Sequence, residues 1–413
     1  MALLTSLPPP VESVAIPSRL SVSRMVSAGQ CKLRPALPSP DENLFPSSPA
    51  AVWGRIVHSL FEHVLKGQVG QAEDPREAIE RELHSLVDQA DAKIAAGPFA
   101  FRLLRLQAAF SAIDWGRRWQ AAVEDALSLQ AQNTATSSRA SKPSGKKFDL
   151  KAALALPGFS ASEVPLPETN LRLTGRIDAI RTLPNRVVRI TDYKTGSAFD
   201  EEGRLLAHIA LQVNLYALVV AELLPRADIE IEVVTGEKTV RLFFDHSRKS
   251  ETSQWLETQL EQLPAETGLS SSELASVGEQ CRTCEFRHVC PLFRASIPEL
   301  WNRTDNSFPL PLDIAGTILS VQPSDGDSIT VKLKDLAGRI VKVHRLDRLN
   351  AGVPDLREGD NVWFFNLASI EPQAYAGAWR HPRNFHELPS SPTERRAWTL
   401  TVYLSHPASD ADA

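Results

Sequence analysis

Residues 171–195 read LRLTGRIDAIRTLPNRVVRITDYKT, and this stretch decides the fold. Two runs of alternating apolar residues flank the break Leu-Pro-Asn-Arg, which predicts two antiparallel strands joined by a tight turn. A three-residue loop that begins at Pro184 places Asp178 opposite Asp192. Because side chains two apart on a strand share a face, Asp192 and Lys194 point the same way.

Like charges directly opposite each other destabilise a sheet, so the two carboxylates need an explanation. A divalent cation that bridges them provides one, since oxygen-rich sites suit magnesium or manganese. The alternative is a surface hairpin with scattered charges. The motif GRID followed by ITDYKTG resembles the PD-(D/E)XK nuclease superfamily, and its RecB-type branch in particular. The resemblance implies that Asp178 and Asp192 hold metal and that Lys194 is catalytic.

Composition sets broad limits on function. The chain has 413 residues, enough for two or three domains, and is 43% hydrophobic and 23% charged, as globular proteins are. DNA-binding proteins are often basic, so a net charge of −5 argues mildly against nucleic-acid binding, but a nuclease needs positive potential only in its cleft. No apolar run reaches the roughly 18 residues that span a bilayer, and the first residues do not resemble a signal peptide. We therefore expect a cytoplasmic protein with no membrane segment.

Two helical patterns carry the same resemblance. The segment PAAVWGRIVHSLFEHVL has helical periodicity, and its G-x-x-x-H-x-x-x-E spacing resembles the RecB-type motif in which the histidine, here His58, binds metal. Residues 204–224 form a strongly apolar helix with a polar line at four-residue steps. In this line Gln212 and Tyr216 match the Q-x-x-x-Y motif of RecB-type nucleases, which lies beside the active site. Without the resemblance, a structural histidine and a partly exposed helix face explain the two patterns.

Cysteine spacing predicts a metal site. Cys281, Cys284 and Cys290 form C-x2-C-x5-C, and Cys31 stands alone far upstream. In a reducing compartment such clustering favours metal over disulfides. Four thiolates arranged in this way suit either a zinc ion or a [4Fe–4S] cluster. The one-plus-three arrangement, followed by proline, resembles the iron–sulfur staple of AddB-type and CRISPR-adaptation nucleases, which implies a structural [4Fe–4S] cluster.

The predicted fold class is α/β: a restriction-endonuclease-like mixed sheet flanked by helices, with an N-terminal helical part and a small C-terminal β-barrel. The barrel is predicted from short alternating strands that resemble an OB-fold. The predicted bounds are 1–20 for a proline-rich disordered tail, 21–300 for the nuclease domain, 74–130 for a helical insertion within it, 132–147 for a flexible loop, 310–390 for the OB-like domain and 391–413 for a terminal segment.

The function that the resemblance implies is metal-dependent cleavage of DNA, as an exonuclease on single-stranded ends in repair, recombination or phage defence. The implied metal ligands for magnesium or manganese are His58, Asp178, Asp192 and the Tyr193 carbonyl. Lys194 orients the attacking water, and Gln212 and Tyr216 line the substrate path. The sequence contains no P-loop motif, so a helicase would have to act as a partner in trans. The rival hypothesis is a non-catalytic module that binds DNA or a partner and carries a structural iron–sulfur or zinc site.

Overall fold

A computed structural model describes residues 7–37, 49–69, 74–96, 106–136, 149–194, 198–235, 238–263, 268–278, 280–281, 284, 286–300, 312–324, 328–347, 355–369, 374–375, 378–379, 384–387 and 401–405. The α-helices are α1 (Val22–Ala28), α2 (Pro49–Leu65), α3 (Pro75–Ala96), α4 (Ala112–Thr136), α5 (Leu150–Leu154), α6 (Ala207–Leu223), α7 (His246–Gln262), α8 (Ser271–Leu274) and α9 (Pro291–Leu300). The strands are β1 (Ser13–Val14), β2 (Leu20–Ser21), β3 (Ser160–Pro165), β4 (Leu173–Thr174), β5 (Arg176–Thr182), β6 (Val188–Lys194), β7 (Ile229–Thr235), β8 (Thr239–Phe243), β9 (Leu269–Ser270), β10 (Leu312–Pro323), β11 (Ser328–Asp335), β12 (Ile340–Asp347), β13 (Asn361–Ser369), β14 (Ala374–Tyr375), β15 (Ala378–Trp379), β16 (Asn384–Glu387) and β17 (Thr401–Ser405).

A five-stranded mixed sheet forms the centre of the first domain. Its strand order is β3-β5-β6-β7-β8. The β6–β7 pair is parallel, and the other neighbours are antiparallel. Helix α6 connects the two parallel strands, as a parallel pair requires a crossover connection. This mixed α/β architecture confirms the predicted fold class for the first domain.

The hairpin of β5 and β6 has the predicted register. The Leu183 N–H donates to the Val187 carbonyl at 2.8 Å, and Ala179 pairs with Thr191. The loop ends in Arg186, whose φ of 66° is the left-handed conformation expected at the end of a three-residue hairpin loop. The observed pairs end at Ala179 and Thr191, one residue before the two acids, so the register agrees with the predicted loop and the facing of Asp178 and Asp192 stays a prediction.

Helices cover both faces of the sheet. On one face α6 is buried over most of its circumference, because it packs against the sheet and against α1 and α7. On the other face α2, α3 and α4 share a second apolar core that includes Leu60, Leu83 and Val123. The ring of Tyr193 belongs to this second core. Helix α2 has the bounds that its periodicity predicts. No helix among the described residues is both long and apolar enough to cross a bilayer.

Two predicted boundaries differ from the structure. Residues 7–20 are not a disordered tail: Val14 pairs with Leu269, and Ile16 and Leu20 are buried. The physical reason is that this segment also contains apolar side chains, which are buried in the hydrophobic core. In addition, α4 continues to Thr136, inside the predicted loop 132–147, and residues 137–147 lie outside the described part of the chain.

The C-terminal part is a second β structure. Six strands form one sheet in the order β10-β11-β12-β16-β13-β17, and β10 additionally pairs with β13. The β12–β16 pair is parallel, and the other neighbours are antiparallel. Its core contains Phe364, Phe365 and Trp363, and it also receives Phe293 from α9. The last strand, β17, lies beyond the predicted domain limit at residue 390.

Candidate metal centre and active site

Two carboxylates meet where β5 and β6 face each other. The Asp178 Oδ2 atom accepts a hydrogen bond from the Tyr193 N–H at 2.8 Å. Asp192 is only 3% exposed, and its Oδ2 lies 2.9 Å from the Lys194 Nζ. Apart from this ion pair, the Asp192 Oδ2 has no hydrogen-bond partner among the described residues. A buried anionic oxygen with so little compensation is costly, unless a further cation binds it.

A third carboxylate and an imidazole complete the group. His58 on α2, Glu163 on β3 and Asp178 on β5 each offer a ligand atom, and these atoms lie within 4.8 Å of one another. Ser162 and Val164 pair with Ala179 and Ile177, so Glu163 stands opposite Asp178 on the neighbouring strand. Carboxylate oxygens with one imidazole nitrogen suit magnesium or manganese, and the residues therefore fit the predicted cation.

The backbone at Glu163 departs from regular strand geometry. Its φ is 51°, the left-handed conformation that non-glycine residues rarely adopt. Such local strain concentrates at functional sites, where the surrounding structure imposes it. Here the irregularity occurs at the residue whose carboxylate joins the group of possible ligands.

The negative charge of the site is only partly compensated by the positive groups around it. Burial, followed by the nearby Asp192 carboxylate, raises the pKa of Asp178 to about 6. The charges of His58 and Lys194 and the Tyr193 N–H act in the opposite direction but do not cancel this rise. A divalent cation would reverse the balance, since an opposite charge within a few ångströms favours the ionised carboxyl. This need for positive charge is a second indication that the residues suit a metal ion.

A line of polar side chains runs from the hairpin onto α6. The Lys194 Nζ donates to the Gln212 Oε1 at 3.1 Å, and the Gln212 Nε2 lies 3.5 Å from the Tyr216 hydroxyl. Burial, with a further contribution from Asp192 and Asp178, raises the pKa of Tyr216 to about 12, so the phenol is neutral and can donate. Gly175 packs near this ring with a φ of 144°, a conformation that a side chain would strain.

The structure therefore brings the predicted residues to one place. His58 and Asp178 belong to the group of close ligand atoms, whereas Asp192 is outside that group and acts on Asp178 through its charge. Lys194 and Gln212 are hydrogen-bonded, and Tyr216 follows on the same helix. Tyr193 contacts the group through its N–H, and its ring turns to the opposite face of the strand.

One residue of the group was not among the predicted ligands. Glu163 lies in the segment SEVPL before the hairpin, where the resemblance to RecB-type nucleases indicates a glutamate without assigning it as a ligand. A single glutamate before a proline is a weak pattern. Its position beside Asp178 depends on the register of β3, a pairing that the local sequence does not specify.

The four cysteines form a second candidate site. All four are free thiols, and Cys31 and Cys290 contact the same small apolar core. Burial raises the pKa of Cys290 to about 11, and the charges of Cys284, Cys31 and Cys281 add to the rise. Cys31 therefore acts electrostatically on the C-x2-C-x5-C group, but among the described residues the cysteines do not form a group of ligand atoms within 4.8 Å of one another. The four-cysteine site stays a prediction.

Arginine side chains lie near these thiols, and one of them is hydrogen-bonded to the backbone beside the cysteines. The guanidinium of Arg287 donates to the Cys281 carbonyl at 3.2 Å and to the Cys284 carbonyl at 3.0 Å. Burial raises the pKa of Cys284, while the charges of Arg34 and Arg287 lower it. The arginine charges offset part of the effect of burial, but the net pKa shifts of Cys281, Cys284 and Cys290 are upward, which favours the neutral thiols in the metal-free protein.

A comparison with known protein families agrees with the motifs. A family model described as the PD-(D/E)XK nuclease superfamily matches residues 19–291. No curated protein matches the chain. Among solved structures, the one titled "Crystal structure of SSO0001" is similar at 15% sequence identity, covering 58% of this chain and 97% of that chain, with a TM-score of 0.24.

Proposed function

The chain belongs to the PD-(D/E)XK nuclease superfamily, and from this premise we propose that it is a metal-dependent nuclease that cleaves DNA. The observation that carries the proposal is the convergence of His58, Glu163 and Asp178. This group lies beside the Asp192–Lys194 ion pair. A structural metal site has no use for a partly exposed lysine next to its ligands, whereas in a nuclease such a lysine can stabilise charge that develops on the scissile phosphate.

The proposed ligands of the cation are His58, Glu163, Asp178, Asp192 and the Tyr193 carbonyl. Bound there, magnesium or manganese supplies a water of lowered pKa and neutralises charge on the scissile phosphate. The protein holds the carboxylates in place: the Tyr193 N–H fixes Asp178, and the sheet register fixes Asp192.

Lys194 acts on the reacting phosphate and water. Its ammonium is held between the Asp192 carboxylate and the Gln212 amide oxygen, so its position is set before substrate binds. A compact positive charge in a partly buried place stabilises negative charge that develops on the phosphate oxygens. Gln212 positions Lys194, and Tyr216 offers a hydroxyl to the DNA backbone.

We also propose the RecB-type specialisation: exonuclease action on single-stranded DNA ends, with a [4Fe–4S] cluster held by Cys31, Cys281, Cys284 and Cys290. Support for the cluster comes from the contact of Cys31 and Cys290 with one apolar core and from the electrostatic influence of Cys31 on Cys284 and Cys290. The hydrogen-bonded pair of Gln212 and Tyr216 supports the RecB-type assignment. A helicase partner in trans stays a prediction from the sequence resemblance.

The C-terminal sheet is proposed to be an OB-like barrel. Support comes from the additional β10–β13 pairing, which joins the first strand to a later one, and from the parallel β12–β16 pair. Trp363, however, is only 9% exposed and stacks on Phe365 at 5.9 Å between ring centroids. We therefore assign this ring to the core and not to a DNA-binding surface.

The decisive experiment uses end-labelled single- and double-stranded DNA with magnesium, manganese or EDTA. We expect cleavage with either metal, none in EDTA, and shortening from the ends of single strands. Lack of cleavage by folded, metal-loaded protein would reject the nuclease proposal and favour the binding module. Cleavage at internal sites of circular single strands would reject exonuclease action while leaving the nuclease assignment in place.

A further inference from the structure

A polar cavity lies on the side of the sheet that faces away from Asp192 and Lys194. It has a volume of about 500 Å³ and is bounded by α4, α2 and strands β5 to β8. Helix α4 packs mainly on α2 and α3, which leaves this space between it and the sheet. A volume of this size suits a small-molecule ligand.

Charged residues cover this face of the sheet, where apolar side chains would be usual. Glu230 and Glu232 are 8% and 6% exposed, and three arginines surround them. Arg189 pairs with both glutamates, and Arg241 donates to the Glu232 Oε1 at 2.8 Å. Three guanidinium groups thus share two carboxylates, and one positive charge is left in excess.

The excess charge falls on Arg181, which lines the cavity. Its nearest acidic contact among the described residues is the Glu232 Oε2 at 3.7 Å, an oxygen that already accepts from the Thr191 hydroxyl at 3.0 Å. The Arg181 Nε is buried and has no hydrogen-bond partner in the described part of the chain. Burial, followed by the charge of Arg189, lowers the pKa of Arg181. An anion bound in the cavity would give the Arg181 Nε a hydrogen-bond partner and would pair with the excess positive charge.

The opposite wall of the cavity carries an acidic residue that lacks a hydrogen-bond donor among the described residues. Asp125 on α4 lines the cavity and forms no hydrogen bond or ion pair within the described residues. Burial, followed by the neighbouring Glu124, raises its pKa to about 6. A group that donates hydrogen bonds would satisfy this carboxylate at neutral pH.

Aromatic rings line the cavity between the two charged groups. Phe61 and Tyr193 both line it, with ring centroids 5.2 Å apart and planes inclined at 64°. Such a wall favours a flat heterocycle, because nucleobases pack well on aromatic side chains. The cavity therefore offers an anion partner, an aromatic wall and an acceptor for an amino group.

We propose that this cavity binds a nucleoside monophosphate with an amino-bearing base, its phosphate on Arg181, its base beside Phe61 and Tyr193, and its amino group on Asp125. Carboxylates accept from the exocyclic amino group of cytosine in this way. The Tyr193 side chain and the Asp192 side chain point to opposite faces of β6, so the site is distinct from the metal centre. Binding here does not require DNA cleavage and so does not depend on the proposed function.

The test is isothermal titration of the full-length protein with dCMP in EDTA at pH 7.5, with deoxycytidine and inorganic phosphate as separate probes. We expect dCMP to bind at least about tenfold more tightly than either fragment, because only dCMP reaches both charged groups. Arg181→Gln and Asp125→Asn should each weaken dCMP by about tenfold or more. Thr239→Trp, at an exposed position of β8 that lines the cavity, should block binding without lowering the melting temperature.

Arg176→Gln is the matched control. Arg176 lies on the same strand, is 66% exposed and sits 3.8 Å from Glu163, outside the cavity. It should leave dCMP affinity unchanged. The proposal is overturned if dCMP does not bind, if it binds no better than its fragments, or if Arg176→Gln weakens it while Arg181→Gln and Thr239→Trp do not. That last pattern would place the nucleotide at the metal centre.

Discussion

Replacing Asp178 by asparagine should stabilise the metal-free protein while it removes activity. Burial and the charge of Asp192 raise the pKa of Asp178 from 3.8 to about 6. A shift of about two units is worth about 3 kcal/mol, which the ionised carboxylate costs the fold above pH 6. Asparagine is uncharged and keeps an oxygen for the Tyr193 N–H, but that oxygen is a weaker acceptor. We therefore expect a net gain of about 1–2 kcal/mol at pH 7.5 in EDTA.

The gain should depend on pH in a defined direction. The pKa of Asp178 is higher in the folded protein than in the unfolded chain. Its contribution to stability is therefore fully present below pH 3.8 and is lost as the pH rises through about 6. The advantage of Asp178→Asn over wild type should therefore be largest above pH 6 and shrink toward pH 4. Urea denaturation in EDTA at several pH values measures it, and thermal melting should show a rise of about 2–8 °C at pH 7.5.

Manganese should reverse the order of stability. A cation at 100 times its dissociation constant stabilises the folded state by about 2.7 kcal/mol, and the variant lacks one of its ligands. We expect manganese to raise the melting temperature of wild type and to have little effect on Asp178→Asn. Asp228→Asn, at an exposed turn before β7, should match wild type throughout. The reasoning is refuted if Asp178→Asn is the less stable protein in EDTA at pH 7.5, or if manganese stabilises it as much as wild type.

Three further predictions concern other parts of the molecule. Lys194→Met should lower the cleavage rate by about 100-fold or more while preserving manganese-induced stabilisation, and near-normal cleavage would remove lysine from the mechanism. Cys31→Ser should bleach anaerobically purified protein near 400 nm, and a colourless wild type with stoichiometric zinc would reject the cluster. Trp363→Ala should destabilise the protein by about 3–5 kcal/mol, because the ring packs in the core on Phe365, and an unchanged melting temperature would contradict this.

Sequence and structure agree where the information is local. The loop of Leu-Pro-Asn-Arg sets the register of the hairpin, so the observed pairing of Ala179 with Thr191 follows from the sequence alone. The four-residue spacing of Gln212 and Tyr216 is likewise a property of one helix, and the structure joins them as expected. The bounds of α2 follow from its periodicity for the same reason.

The sequence does not predict the position of a residue where that position depends on contacts between distant segments. The sequence resemblance indicates Glu163 without a ligand role, and its place beside Asp178 comes from the pairing of β3 with β5 and from a left-handed backbone. The pairing of Val14 with Leu269 joins segments far apart in the sequence, so a proline-rich composition could not reveal it. The charged face around Glu232 was missed because alternation predicts which side chains share a face and not what that face contacts.

A buried ion pair joins the cysteine loop to the C-terminal sheet. The Arg287 guanidinium, which holds two carbonyls of the cysteine loop, also donates to the Asp313 Oδ2 on β10 at 2.7 Å. Both side chains are almost fully buried, at 6% and 3% exposure. Breaking such a pair from one side costs about 3–5 kcal/mol, since the other charge stays buried. Cys281 and Phe293 also pack into the core of the C-terminal sheet. The proposed four-cysteine site would therefore link the N-terminal segment, the end of the nuclease domain and the second domain, and loss of the proposed cluster should destabilise all three.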